Sequence, residues 1–348
     1  MKKECFIFTS DENKYGSIYK VLLNDILSKD NVFYIEKTFI KKGRVFNYIK
    51  KILFSTIINI KTKEKFANAA RRFYKNKYSL IRKVEQLQDK YETINIVMFN
   101  ASIKRYYSAE LLEDIKNKYK NVKLTLFFMD PSTIWASQNA MDIINNNPDI
   151  FDFIFTVDEN DAKQKQWIYW PTPYSKIKFT DCVNKQDLYF CGATKDRHLL
   201  LIDLIDSFNK NGVKAKWDVF YIKKDETNLD KLLDIINIQS IDNMKNYEDT
   251  LSEVETSNCI LELVTPRQSA TYTLRDYEAV VYNKKLLTNN KSIFDFPYYD
   301  ESNMKYFKTI ENIDFDWINS KKEVDYGYRG EYSPQKLIEE ISRRNENK

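Results

Sequence analysis

Residues 259–290 read CILELVTPRQSATYTLRDYEAVVYNKKLLTNN, and the order of patterns within them decides the fold. CILELV at 259–264 is an apolar run of the kind buried on both faces of a sheet. A polar loop follows, then a helical pattern over 273–282, then a second short strand-like run, KLLTN at 285–289. Strand, helix and strand in that order form a βαβ unit, whose crossover sets the two strands parallel. Thr273 and Asp276 have the spacing of a capping box and mark the helix start. The unpaired amides and the dipole at that end favour an anion. Arg275 in the first turn is electrostatically unfavourable unless an anion is present, and its guanidinium offers a bidentate fork for phosphate. Glu278, one turn on, is spaced to accept both hydroxyls of a ribose. The same spacing also fits a surface Arg275–Glu278 ion pair.

Working outward, the alternation continues in both directions. Upstream, strand-like runs at 188–192 and 216–222 flank a helical pattern over 198–211, and 229–236 and 247–256 also read as helical. Before 167 the chain repeats the scheme, with strands at 4–9, 31–36, 94–99, 122–129 and 152–157. Helical segments lie at 15–27, 44–60, 63–90 and 109–119, and another starts at Pro131 and Ser132 and runs toward 144. Between the halves, WIYWPTPYSKIK (167–178) holds two prolines and reads as an irregular crossover. The expectation is therefore α/β, with a first domain over 1–175 and a second over 183–330. The C-terminal helix at 333–348 is a candidate to pack back on the first. The length of 348 residues suits two such domains. Six glycines and seven prolines are too few for a collagen-like or turn-dense all-β chain. Open parallel sheets bind ligands at the carboxyl ends of their strands, so a cleft between two of them is the expected site.

Charge is unevenly spread. The total is +5, yet residues 37–90 alone hold 16 Lys and Arg against three acids, a local +13. Within it, FIKKGRVFNYIKKILFSTIINIK (39–61) and KFANAARRFYKNKYSLIRK (65–83) interleave cations with aromatic and aliphatic residues at helical spacing. That composition suits an interfacial helix on anionic lipid, and equally a solvated basic face on core-packing helices. Nucleic acid would also fit the charge, but no helix-turn-helix, RNA-recognition or zinc-finger signature accompanies it. Cys5, Cys182, Cys191 and Cys259 lack CxxC spacing, and Cys5, Cys191 and Cys259 sit in apolar, strand-like runs and read as reduced thiols. The apolar stretch at 5–8 is too brief for a signal-peptide core, and the longest mostly apolar run, 52–60, is too short to span a bilayer as a helix. The expectation is a cytoplasmic chain, peripheral to the inner face of the membrane through 37–90.

Three smaller signals bear on chemistry. CGATKDR (191–197) follows a strand and opens a helix, with Gly192 allowing close backbone approach and Lys195 and Arg197 placed for phosphate. It lacks the spacing of a Walker loop. Asp314-Phe315-Asp316 is a DxD, a pattern that can hold a divalent ion on a diphosphate, but it falls late in the chain. The single histidine, His198, has no Cys or His at ligand spacing, so no zinc site is read. A general base at a strand's carboxyl end points to Asp130 first, then Asp158, then Asp11, each of which is also a natural loop or helix-capping aspartate.

The 259–290 block resembles the donor-site segment of bacterial capsular-polysaccharide and lipopolysaccharide glycosyltransferases of GT-B architecture. The family pattern runs apolar strand, Gln, Thr-x-Arg-x-x-Glu-Ala, then Lys-Lys-Leu-(Ile/Leu)-Thr-x-Asn. LFFMDPS (126–132), FDFIFTVDENDA (151–162) and LYFCGATKDR (188–197) are similar to that family as well. One departure is that Ala270, Thr271 and Tyr272 stand where the family often has Gly. The resemblance implies a GT-B-like fold of two Rossmann-like domains facing across a cleft, with the acceptor on the first domain and the nucleotide-sugar on the second. It implies that Arg197 and Arg275 neutralise the diphosphate leaving group, that Thr273 adds a contact and that Glu278 holds the ribose. Gly192, Tyr247 and Gln268 complete the donor set, with Asp130 or Asp158 as base. It further implies a hexosyltransferase that uses a UDP-sugar, needs no cofactor and no metal, and extends a lipid-linked surface glycan. The rival reading is a non-catalytic GT-B-like partner or membrane-anchoring subunit of a transferase.

Overall fold

The computed structural model describes residues 2–11, 16–37, 80–100, 103, 107–134, 137–180, 183–194, 197–221, 229–240, 245–264 and 272–347. Two compact units divide the chain. The first comprises Met1–Tyr19 and Ile26–Pro171, and the second comprises Lys20–Asp25 and Thr172–Lys348, so the C-terminal helix is counted with the second. The basic segment over 38–79, together with Lys195, Gln268, Ala270, Thr271 and Cys182, lies outside the described residues.

The first unit is built on a parallel six-stranded sheet. Its strands are β1 (Lys2–Asp11), β2 (Val32–Lys37), β3 (Tyr91–Phe99), β4 (Val122–Phe128), β5 (Phe153–Thr156) and β6 (Ile168–Tyr169), in the spatial order β2-β1-β3-β4-β5-β6. Helix α1 (Gly16–Leu22) follows β1. Helices α2 (Leu80–Leu87), α3 (Ala109–Lys118), α4 (Gln138–Asn146) and α5 (Glu159–Lys165) supply the later connections. The strands are apolar because both faces are covered: in β4 only Lys123 is not fully buried. Ile7, Ile96, Leu124 and Phe128 join Leu112 and Ile115 of α3 and Val84 of α2 in one core. Burying each such side chain contributes about 1.5–3 kcal/mol. In α2, the described end of the basic stretch, Leu80, Val84 and Leu87 are buried, and the Lys83 ammonium sits 3.8 Å from the centre of the Phe33 ring.

The second unit repeats the plan. Strands β7 (Gln186–Ala193), β8 (Ala215–Tyr221), β9 (Gln239–Ser240), β10 (Ser257–Glu262), β11 (Lys285–Thr288) and β12 (Met304–Tyr306) form a second parallel sheet, ordered β12-β11-β10-β7-β8-β9. Helices α6 (His198–Lys210), α7 (Leu229–Leu233), α8 (Tyr247–Glu255), α9 (Leu274–Tyr282), α10 (Phe315–Asn319) and α11 (Pro334–Glu346) accompany it. Its core gathers Leu188 and Phe190 of β7, Leu201, Leu204 and Phe208 of α6, and Leu261 of β10. In each sheet the winding reverses once, between β1 and β3 in the first and between β7 and β10 in the second. Among the described residues, no helix is long and apolar enough to cross a membrane.

Two expectations need correction. The helix expected from Pro131 begins only at Gln138, because distant side chains hold residues 131–134 in a turn. The Pro-containing crossover contains the two-residue strand β6. Strands that short carry no periodicity of their own.

One buried cation fastens the second unit. Lys285, at the start of β11, is 0% exposed. Its ammonium donates to Trp317 O at 2.6 Å, to Ser320 Oγ at 2.8 Å and to Ser320 O, and lies 5.2 Å from the centre of the Trp317 ring. A cation at these last carbonyls of α10 satisfies acceptors that the helix leaves open and meets its negative end. Lys285→Met keeps the apolar stem but removes all three bonds, leaving Trp317 O to the Ser320 hydroxyl and Ser320 O to Asn258 Nδ2, so it is expected to lower the unfolding free energy by about 1.5–3 kcal/mol. Denaturant unfolding checks this. A loss within about 0.5 kcal/mol would deny the ammonium that role.

Candidate functional site

The carboxyl ends of β7 and β10 lie side by side where the second sheet reverses its winding. In an open parallel sheet the helices that follow two such strands diverge and leave their N-termini over the gap. Helix α6 follows β7, and α9 follows β10. The sequence places an arginine at the start of each, and the structure brings both to this edge.

Arg197 stands at the N-cap position of α6. Its Nε and Nη2 donate to Ala193 O at 3.0 and 2.7 Å, and Nη1 donates to Leu263 O. One planar guanidinium thus bridges the ends of β7 and β10. It passes directly over Gly192: a Cβ there would meet Arg197 Nη2 at 3.2 Å and Phe190 Cζ at 3.0 Å. Gly192 therefore makes room for the Arg197 side chain.

Arg275 is the second residue of α9. Its Nη2 donates to Cys191 O at 3.1 Å, and its Nη1 pairs with Glu278. The ion pair anticipated on a surface is buried, with the two side chains 18% and 0% exposed. Tyr247 of α8 donates its hydroxyl to Glu278 Oε1 at 2.6 Å, and Tyr174 Oη lies 3.0 Å from Tyr247 Oη. Burial, with Glu278 nearby, lifts the pKa values of both tyrosines well above the usual phenol range, so both remain hydroxyls. A Tyr174–Tyr247–Glu278–Arg275 chain therefore ends on the tip of β7. Each Glu278 oxygen thus has one donor from the protein, Tyr247 on Oε1 and Arg275 on Oε2.

Thr273 caps α9 as expected. Its Oγ1 accepts Arg275 N at 3.1 Å, and Asp276 Oδ2 accepts Thr273 N at 2.6 Å, closing a capping box. The same hydroxyl donates to Glu262, a buried carboxylate at the end of β10 that also receives Thr288 Oγ1. Glu262 was not among the expected site residues. An acid inside the apolar run CILELV was the signal available for it, because a buried carboxylate demands partners. Gln268 falls outside the described residues.

In the first unit, Asp130 follows β4 and is half-buried. Its neighbours are tied down on both sides. Asn100 Oδ1 accepts Met129 N at 2.9 Å, and Asn100 Nδ2 donates to Ser137 Oγ at 3.0 Å. Ser137 Oγ donates in turn to Pro131 O at 2.9 Å. Asp161 accepts both Ser132 N and Ser132 Oγ at 2.6 Å. Asn100 and Asp161 were not foreseen either, because their partners are remote in sequence. Asp158 is the N-cap of α5, with Oδ1 accepting Asp161 N at 2.8 Å, and it is 5% exposed. Asp11 ends β1.

The DxD has a structural duty. Asp314 Oδ1 accepts Trp317 N at 2.9 Å as the cap of α10. Its Oδ2 pairs with Lys305 at 2.5 Å, and these hydrogen bonds hold the carboxyl below its usual range. His198 is the buried first residue of α6.

No protein-family model and no curated protein matches this chain. Solved structures do. Sucrose-phosphate synthase from Thermosynechococcus elongatus aligns over 99% of this chain and 99% of its own, with a TM-score of 0.52 at 9% identity. MnaA of S. aureus, solved with UDP, aligns over 98% of this chain and 96% of its own, with a TM-score of 0.50 at 11% identity. At such identities the likeness is one of fold. With two six-stranded parallel sheets, each wound as a Rossmann-like unit, the chain has a GT-B-like α/β fold.

Proposed function

We propose that the chain is a glycosyltransferase that moves a sugar from a nucleotide diphosphate donor, a UDP-sugar, to a lipid-linked surface glycan of a bacterium, without a metal ion. One observation carries this reading. Two guanidinium groups, Arg197 and Arg275, are anchored on strand-end carbonyls at the point where the second sheet reverses, beside the N-termini of α6 and α9. Glycosyl transfer breaks an anomeric C–O bond and leaves its electron pair on the departing diphosphate. Fixed cations and helix ends stabilise that charge without reorganising as it forms. Arg275 spends one N–H on Glu278 and one on Cys191 O, and a guanidinium has five. The UDP bound to a protein of the same fold supports the choice of nucleotide.

In this reading Thr273 and Gly192 shape the edge that meets the phosphates, Gln268 contributes a further donor contact, and Tyr247 and Glu278 hold Arg275 in place. Asp130 is the first choice of general base for the acceptor hydroxyl, and Asp158 the second. The basic segment 37–90 brings the enzyme to an anionic membrane at the cytoplasmic face, where a lipid-linked acceptor resides.

A panel of nucleotides tested by thermal unfolding, with and without chelator, checks the donor site. UDP at about one hundred times its Kd is expected to stabilise by about 2.7 kcal/mol, and chelation is expected to leave that gain intact. A gain that vanishes on chelation refutes metal independence, and no gain with any nucleotide refutes the donor site. The engagement of both arginines and Glu278 by protein groups favours a second reading, a non-catalytic partner of a transferase. Such a partner would bind nucleotide or glycan yet release no UDP from a UDP-sugar when lipid-linked acceptor is supplied.

A further inference from the structure

The start of α9 sits on two carboxyl groups, where one would complete the helix cap. Glu262 is 2% exposed and Asp276 is 0% exposed, and they lie within hydrogen-bonding reach of each other. Glu262 receives a hydroxyl on each oxygen, Thr273 Oγ1 on Oε1 and Thr288 Oγ1 on Oε2. Each hydroxyl in turn accepts a backbone amide, Arg275 N at 3.1 Å and Asn290 N at 2.9 Å, which leaves its own proton for Glu262. Asp276 Oδ2 accepts Thr273 N at 2.6 Å. Asp276 Oδ1 is buried and, among the described residues, receives no donor. Three of the four carboxyl oxygens are thus supplied with donors, and the fourth is not.

A buried anionic oxygen without a donor is expensive, whereas a carboxylic O–H placed there can donate. We infer that Glu262 and Asp276 hold one proton between them, carried on Asp276 Oδ1 and donated to Glu262, and that this link fastens the first turn of α9 to β10 and β11. Two ionised carboxylates side by side would repel in a medium that screens little, as in other carboxyl pairs that share a proton. Among the described residues, Arg275 and Glu278 of α9 and Tyr326, in the segment after α10, are the charged and titratable groups that act on the pair. Arg275 is already paired with Glu278, so it cannot neutralise a second full charge here. Burial first, and then the Glu262 charge, pushes the Asp276 carboxyl well above its usual range. Burial also raises Glu262, against the pull of its hydroxyl donors and Arg275.

The sign of the pH effect follows. A folded-state pKa raised above the unfolded value near 4 gives a contribution that is complete below about pH 4 and is lost as pH climbs toward the folded value. Over that window the one retained proton raises the wild-type unfolding constant about tenfold per pH unit. Asp276→Asn has no proton to lose, and its amide donates to Glu262 where the acid O–H did.

Denaturant unfolding of the full chain and of Asp276→Asn, across about pH 5 to 8, reads the difference. The wild-type unfolding constant, divided by that of the variant, is expected to rise about tenfold per unit until the folded pKa is reached. Parallel pH profiles would overturn the shared proton. Infrared spectroscopy supplies a second readout that does not depend on the variant's folding. The carbonyl stretch of a buried protonated carboxyl is expected in the wild type at neutral pH, and its absence there would overturn the inference too. Neither measurement needs a nucleotide, so both stand apart from the proposed activity.

Discussion

Arg275→Ala is expected to cost about 3–5 kcal/mol of stability and to erase the stabilisation by UDP. The stability loss comes from what is left behind. Glu278 is 0% exposed, and without the guanidinium its carboxylate keeps, among the described residues, only the Tyr247 hydroxyl. An uncompensated buried charge is worse than none, so Arg275→Ala combined with Glu278→Gln should recover most of the loss. Recovering most of that loss requires a coupling of about 2–3 kcal/mol or more, the upper end of what residues in contact show. Denaturant unfolding of the two single variants and the double variant measures it. Full stability in Arg275→Ala would mean that the pair does not form in solution. A UDP-induced shift that persists in the stable double variant would remove Arg275 from the donor site while leaving the account of the ion pair intact.

Turnover should separate the two aspartates of the first unit. Asp130→Asn is expected to lower kcat by about 10²–10⁴-fold, the usual worth of a general base, with the UDP-induced shift unchanged. Asparagine keeps the size and much of the hydrogen bonding of the side chain, and the Asn100, Ser137 and Asp161 contacts that hold the segment are untouched. Asp158→Asn is the natural control, because asparagine caps a helix about as well as aspartate. Its stability should hold, and release of UDP in the presence of acceptor should stay near wild type. A fall in Asp158→Asn alone would move the base to that residue, and unchanged turnover in both would rule out either as base.

The sheets could be read from sequence because strands covered on both faces must be apolar throughout, and CILELV, LYFCG and VKLTLFF announce that condition. The cap at Thr273 was equally legible, since both of its partners lie within four residues. What could not be read depended on register between distant strands. Arg275 and Glu278 have the spacing of a pair, but burial under the tip of β7 is set by a strand more than eighty positions upstream. The meeting of Glu262 with Asp276 and Thr288 needs β10, α9 and β11 in their final places. The segment after Asp130 was misread for the same reason. Pro131 and Ser132 look locally like a helix start, yet Asn100 and Asp161 arrive from outside the window and claim the backbone first.

The place of β1 inside its sheet has a kinetic consequence. Lys2 is paired with Tyr91, and Phe8 with Val97, while β2 covers only the other edge of the same strand. A nucleus made of β1 and β2 alone would bare one flank of amides and carbonyls for as long as β3 is absent. The second unit carries the same delay on a smaller scale, since β7 waits for β10 across β8 and β9. Closing loops of that length before any pairing rewards them makes collapse slow and leaves sticky flanks exposed meanwhile. Refolding yield should therefore depend on dilution more than final stability does, because during that interval a second molecule competes with β3 for the same flank.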